Sequence, residues 1–175
     1  MKSERFKECL HHVLGSEGGY SNHKADRGGA TNYGITQRTY DRYRQLMGLS
    51  LQRVSEIEPY EVEDIYREYW KDSHADQLPR PLDLAVFDCA VNSGAGRAIK
   101  LLQRALGFDE SAVDGLWGRV TSRAVAQCDD VSALYRRYLD ERRSWYDEII
   151  ERDPSQAVFA KGWMRRVDML EEEIA

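Results

Sequence analysis

"RPLDLAVFDCAVNSGAG", residues 80–96, decides the fold class. Leu82, Ala85, Val86, Cys89 and Ala90 recur at three- and four-residue intervals, the period of a helix. The stretch is nearly apolar enough to be a central buried helix. Asp88 and Asn92 interrupt it one turn apart, at i and i+4. Gly94 and Gly96 end it, and "RAIKLLQRAL" begins another helix.

Helical spacing extends in both directions. Phe6, Leu10, Val13 and Leu14 predict a first helix over 3–15 that ends at Gly15. Thr36 is placed to cap a helix reaching about Met47, with Gly48 as its stop. "EPYEVEDIYREYW" starts a helix near Pro59 with Val62, Ile65, Tyr66 and Tyr69 on one side. "AVDGLWGRVT" reads as loop, with Asp114-Gly115 as a turn and Thr121 as a cap. A long helix over about 130–151 carries Leu134, Tyr138, Trp145 and Ile149. A last one, over about 160–174, carries Trp163, Val167, Leu170 and Ile174. Trp70, Trp145 and Trp163 are expected in the core, and Trp117, flanked by glycines, partly exposed. No buried charge pair is evident. The expected architecture is mainly α, one domain over 1–175.

Composition bounds the function. The 175 residues are 42% apolar and 31% charged, as in a soluble globular domain, and a net charge of −5 argues against a nucleic-acid partner. No apolar run approaches the roughly 20 residues a membrane span needs, so no stable membrane insertion is expected. The N-terminal stretch lacks a hydrophobic signal core, which predicts synthesis in the cytoplasm without an export signal. Cys9, Cys89 and Cys128 lack metal-ligand spacing, and the four histidines form no HExxH-type pair. Buried free thiols at Cys9 and Cys89, no metal and no cofactor are the expectations.

The one stretch unsuited to helix or core is "SEGGYSNHKADRGGATNYGIT", residues 16–36. It reads as irregular Gly-rich chain or a short β-hairpin after the first helix. Glu17 follows that helix directly, where the negative end of the helix dipole raises a carboxyl pKa, the property a general acid needs. Gly18 and Gly19 leave room beside it for a polymeric substrate. Asp26 lies nine residues on, within reach of a hairpin's return. Two carboxylates across a cleft are the equipment of glycoside hydrolysis, and Thr31 is placed to position water. Spacing alone leaves a solvated Glu and a surface Asx-turn at "DRGG" open as alternatives.

"EGGYSNHKADRGGATNYGIT" resembles the signature of glycoside hydrolase family 108, the N-acetylmuramidases found largely as phage and prophage endolysins. The likeness continues in "VFDCAVNSGAGRAIKLLQRALG", "VDGLWGRVTSRAV" and "FAKGWMRRV". It implies a lysozyme-like helical fold, Glu17 as catalytic acid and Asp26 as its partner. The pattern is also similar to the Glu, Asp, Thr triad of phage-type lysozymes, where the Thr follows the Asp by six residues; here Thr31 follows by five. Where family members have Asn-Asp-Pro and a Pro after the Asp, this chain has Asn22-His23-Lys24 and Arg27.

The implied substrate is the glycan strand of peptidoglycan, cut between N-acetylmuramic acid and N-acetylglucosamine by a monomer whose release to the wall or periplasm depends on a holin or a secretion system. Tyr20 and Tyr33 flank the carboxylates and either stack on sugar faces or pack the loop. Asn92 is expected to face substrate and Asp88 to be structural. "LLQRALGF…AVDGLWGRVTSRAV" looks like a peptidoglycan-binding signature, giving an integral helical segment over 80–128 whose residues either touch glycan or only build turns and core. Two rival functions stay open: a lytic transglycosylase giving 1,6-anhydro products, and a non-catalytic wall-binding or secretion-associated protein.

Overall fold

The computed structural model describes residues 2–16 and 31–174. Among them are eight α-helices and one two-stranded hairpin, the mainly α architecture expected. The chain divides into two compact units, Met1–Glu68 and Tyr69–Ala175.

In the first unit, α1 (Lys2–Ser16) buries Phe6, Cys9, Leu10 and Val13 on one stripe. It ends one residue beyond the expected Gly15. Strands β1 (Thr31–Asn32) and β2 (Ile35–Thr36) pair antiparallel, with Thr31 opposite Thr36 and Asn32 opposite Ile35. Their two-residue turn, Tyr33-Gly34, has positive φ at both positions (51° and 73°), the combination whose twist matches paired strands. The expectation had left irregular chain or hairpin open over 16–36; its described end is the hairpin.

Helix α2 (Gln37–Leu46) follows β2 without a linker. Thr36 is its N-cap, its hydroxyl accepting from Thr39 N at 3.2 Å, as the sequence predicts. Gly48 (φ 69°) takes the left-handed position past the helix end. In α3 (Pro59–Asp72), Pro59 occupies the first position, and Glu61 reaches back to accept from Glu58 N at 3.0 Å, the reciprocal half of a capping box.

The second unit is built on α4 (Leu82–Ser93), whose residues from Leu82 to Ala90 are all buried. Helix α5 (Ala95–Ala105) starts two residues earlier than expected: Gly94 (φ 84°) is the break, and Gly96 lies inside the new helix. Helix α6 (Arg119–Ala126) is preceded by Gly118, so Thr121 is no cap. Its side chain is buried and its hydroxyl is bonded inside the unit. Helix α7 (Val131–Arg152) is capped by Asp130, which accepts from Ala133 N at 2.8 Å. Helix α8 (Ala157–Glu171) sits earlier than its predicted span and passes into a 3-10 turn.

The tryptophans divide differently from the expectation. Trp70 is buried edge-on against Phe87, with ring centroids 5.2 Å apart. Trp117 is half-buried, as predicted, but so are Trp145 and Trp163, which were expected in the core. The positions they were to fill on α7 and α8 are taken by Arg142 and Arg166. Cys9 and Cys89 are buried free thiols, as expected.

Candidate active site

Of the residues singled out by sequence, Glu17, Tyr20 and Asp26 lie outside the described residues. Thr31 and Tyr33 share the hairpin of the first unit, and Asn92 closes α4 in the second.

The hairpin is held from several sides. Tyr66 donates to Tyr33 O at 2.7 Å, Asn32 Nδ2 to Val54 O at 3.2 Å, and Ile35 is buried. Tyr33 therefore keeps a left-handed backbone that a non-glycine residue adopts only at some cost, while its ring stands 42% exposed. The exposed ring leaves both readings of Tyr33, sugar stacking and loop packing, to the test of a variant. The Thr31 side chain is half-buried on β1.

A buried ion pair joins the last turn of α2 to the first turn of α3. Glu61, with no exposed surface, accepts from Arg44 Nη1 at 2.7 Å and from the Tyr40 hydroxyl at 2.6 Å. Arg44 Nε also reaches Ser50 O at 2.5 Å. Burial, and then the bond to Glu61, push the Tyr40 phenol up to about 12. It remains a hydrogen donor at any working pH.

At the C-terminal end of α4 a second network fixes Asn92. Asp88, fully buried, receives Arg166 Nε on both oxygens (2.9 and 2.8 Å). Arg142 Nη1 stands 2.7 Å from Asp88 Oδ1, out of line for a hydrogen bond, so this contact is one of charge. Burial alone would raise the Asp88 carboxyl; the two guanidinium groups outweigh it and hold it below the ordinary carboxylate range.

Arg142 Nε then donates to the Tyr146 hydroxyl at 3.0 Å, and that hydroxyl to Asn92 Oδ1 at 2.9 Å. Burial raises the Tyr146 phenol against the lowering pull of Arg142, so it stays protonated as the donor. Ser93 Oγ also donates to Asn92 Oδ1, at 2.9 Å. Both lone pairs of the carbonyl are taken, so the free end of the exposed Asn92 side chain is its NH2.

The sequence pointed to Asp88 and Asn92 but missed Arg142, Arg166 and Tyr146, and its expectation of no buried charge pair is corrected twice over. The only available signal was Arg142 falling four residues after Tyr138 and four before Tyr146, in the apolar register of α7.

The segment resembling a peptidoglycan-binding signature is a clamp around Gln103, itself 1% exposed. Gln103 Nε2 donates to Asp114 Oδ1 (2.8 Å), Leu116 O (3.2 Å) and Thr121 Oγ1 (3.2 Å), and its Oε1 accepts from Gly115 N (2.9 Å). The motif's Gln and Thr are buried and bonded to the loop itself.

The Glycosyl hydrolase 108 family model matches residues 10–94. A second model, the Predicted Peptidoglycan domain, matches residues 97–168, running past the expected 128 into α7 and α8. The solved structure of Brucella abortus SagA is similar to this chain with 33% sequence identity and a TM-score of 0.80, covering 98% of this chain and 94% of that one. No curated protein matches the chain.

Proposed function

Since the chain belongs to the glycosyl hydrolase 108 family and carries a peptidoglycan-domain segment, it is a peptidoglycan hydrolase, and we propose that it is an N-acetylmuramidase, cutting the β-1,4 bond between N-acetylmuramic acid and N-acetylglucosamine. The observation that supports this most is the order Glu17, Asp26, Thr31 along the chain, running into a hairpin that pins Thr31 and presents Tyr33.

In this reading Glu17 donates its proton to the glycosidic oxygen as the C1–O bond breaks. Asp26 and Thr31 orient the water that adds to C1, or steady the positive charge on the ring, and the product carries a new reducing end. Tyr20, Tyr33 and Asn92 contact the sugars. The enzyme works as an endolysin and a monomer, reaching the wall from the cytoplasm through a holin lesion or a secretion system.

Digestion of purified peptidoglycan, with the released muropeptides identified by mass spectrometry, tests it. Reducing-end muramic acid is the expected product. Anhydro ends would make the chain a transglycosylase, and no fragments from any wall chemotype would make it a binding relative.

A further inference from the structure

The second unit carries a row of planar side chains that the hydrolytic chemistry does not use. Tyr146 and Trp163 stack with centroids 4.9 Å apart and planes 15° from parallel. Phe159 lies against Trp163 at 5.9 Å, tilted by 32°, and Trp145 lies against Tyr146 at 5.1 Å. The Arg97 guanidinium sits over the Trp145 ring at 4.9 Å, with no carboxylate partner among the described residues. The row is not core: Phe159 is 52% exposed, and Trp145 and Trp163 are half-buried.

One of its rings is the same Tyr146 whose hydroxyl takes the Asn92 carbonyl and leaves the amide NH2 free to donate. One residue thus joins an apolar, ring-bearing surface to an oriented hydrogen-bond donor. An N-acetylated sugar asks for this combination: its C–H face lies on aromatic rings, and its acetamide or hydroxyl oxygen accepts from an amide. Muramic acid adds a lactyl carboxylate, which suits an unpaired guanidinium.

We propose that Phe159, Trp163, Asn92 and Arg97 form a glycan subsite for an N-acetylated, muramic-acid-bearing strand, with Tyr146, Arg142 and Asp88 as its positioning residues. The subsite deepens the peptidoglycan-hydrolase reading and rests on it for the choice of ligand. Phe159 supplies the stacking surface, with Trp163 backing it, Asn92 donates to an acceptor oxygen of the sugar, and Arg97 meets the carboxylate. The buried Asp88–Arg142–Tyr146 chain sets which end of the Asn92 amide the sugar meets.

Calorimetric titration of the full chain carrying Glu17→Gln, which suppresses turnover, tests it with two probes: a tetrasaccharide of alternating N-acetylglucosamine and N-acetylmuramic acid, and the carboxylate-free tetramer of N-acetylglucosamine. Adding Phe159→Ala or Asn92→Asp weakens binding of both probes about tenfold. Adding Arg97→Gln weakens only the muramic-acid-bearing one. Both Phe159 and Asn92 are exposed, so these variants keep the wild-type melting temperature.

No binding of either probe, or unchanged affinity in both Phe159→Ala and Asn92→Asp, overturns the subsite; equal losses on both probes in Arg97→Gln overturn the role of Arg97. Muropeptide release by the wild-type protein is scored separately, so the subsite and the hydrolase reading fail by different measurements.

Discussion

Arg142 Nη1 lies 2.7 Å from Asp88 Oδ1, and neither side chain has any surface open to solvent. With Arg166 Nε on both oxygens of the same carboxylate, one buried negative charge holds two buried positive ones. Removing a single partner from such a group costs more than the group as a whole contributes, because the charges left behind have nothing to replace it.

Asp88→Asn is therefore expected to lower unfolding free energy by about 3–5 kcal/mol, read from denaturant melts at neutral pH. The same carboxylate sets an acid dependence. Its folded pKa lies below the ordinary 3.8, so on acidification the unfolded chain takes up the proton first. The stabilisation is complete above the ordinary value and disappears as pH falls through the lowered one. Below about pH 4 the wild type loses stability more steeply than Asp88→Asn does. Parallel acid-unfolding curves would remove Asp88 from this role.

Tyr33 separates stability from activity. Asn tolerates the left-handed backbone better than Tyr, so Tyr33→Asn leaves stability unchanged or raises it by about 0.5–1 kcal/mol. It also deletes the exposed ring, and KM for wall fragments rises. A variant that melts lower with unaltered KM would show the ring to be packing.

Glu17→Gln keeps the shape of the side chain and removes its proton. Muropeptide release should fall by about 10²–10⁴-fold with the melting temperature unchanged, as for loss of a general acid. Near-normal turnover would remove Glu17 from that role.

Gly115 has φ 78°, and a Cβ built on it would stand 2.7 Å from the Gly96 carbonyl oxygen, closer than any real contact. Gly115→Ala is expected to cost at least about 1–3 kcal/mol in the same denaturant melts. The clamp around Gln103 opens with it.

The helices were legible where periodicity had nothing to compete with it. The α4 stripe, the Thr36 cap and the end of α2 at Gly48 all follow from local chemistry. Thr121 and Gly96 were misread because a Thr and a Gly beside turns carry cap and break signals that tertiary bonding overrides: Gln103 recruits the Thr121 hydroxyl, and Gly96 continues a helix that Gly94 had already allowed to begin. The aromatic row was hidden for a related reason. Helical spacing puts Trp145 and Trp163 on a face but cannot say that Arg142 and Arg166 occupy the interior instead, since the partner that makes their burial tolerable, Asp88, is remote in sequence. Thr31, Tyr33 and Asn92 were singled out from spacing and resemblance as candidates, whereas the Tyr146 hydroxyl that bonds Asn92 comes from a different helix and leaves no local pattern.

Thr36 is both the last residue of β2 and the cap of α2, so the hairpin and the helix meet with no slack between them. A twist of α2 about its axis is transmitted directly to β2 and hence to Thr31 opposite it. Toward the far end of α2 from the hairpin, the Arg44–Glu61 pair and the Tyr43–Asp64 bond tie the helix to α3. Substitutions there would act as a loosened mounting does on an instrument: the damage would reach the hairpin through the helix, and it would register in the melting temperature as well, since the partner left behind is a buried charge.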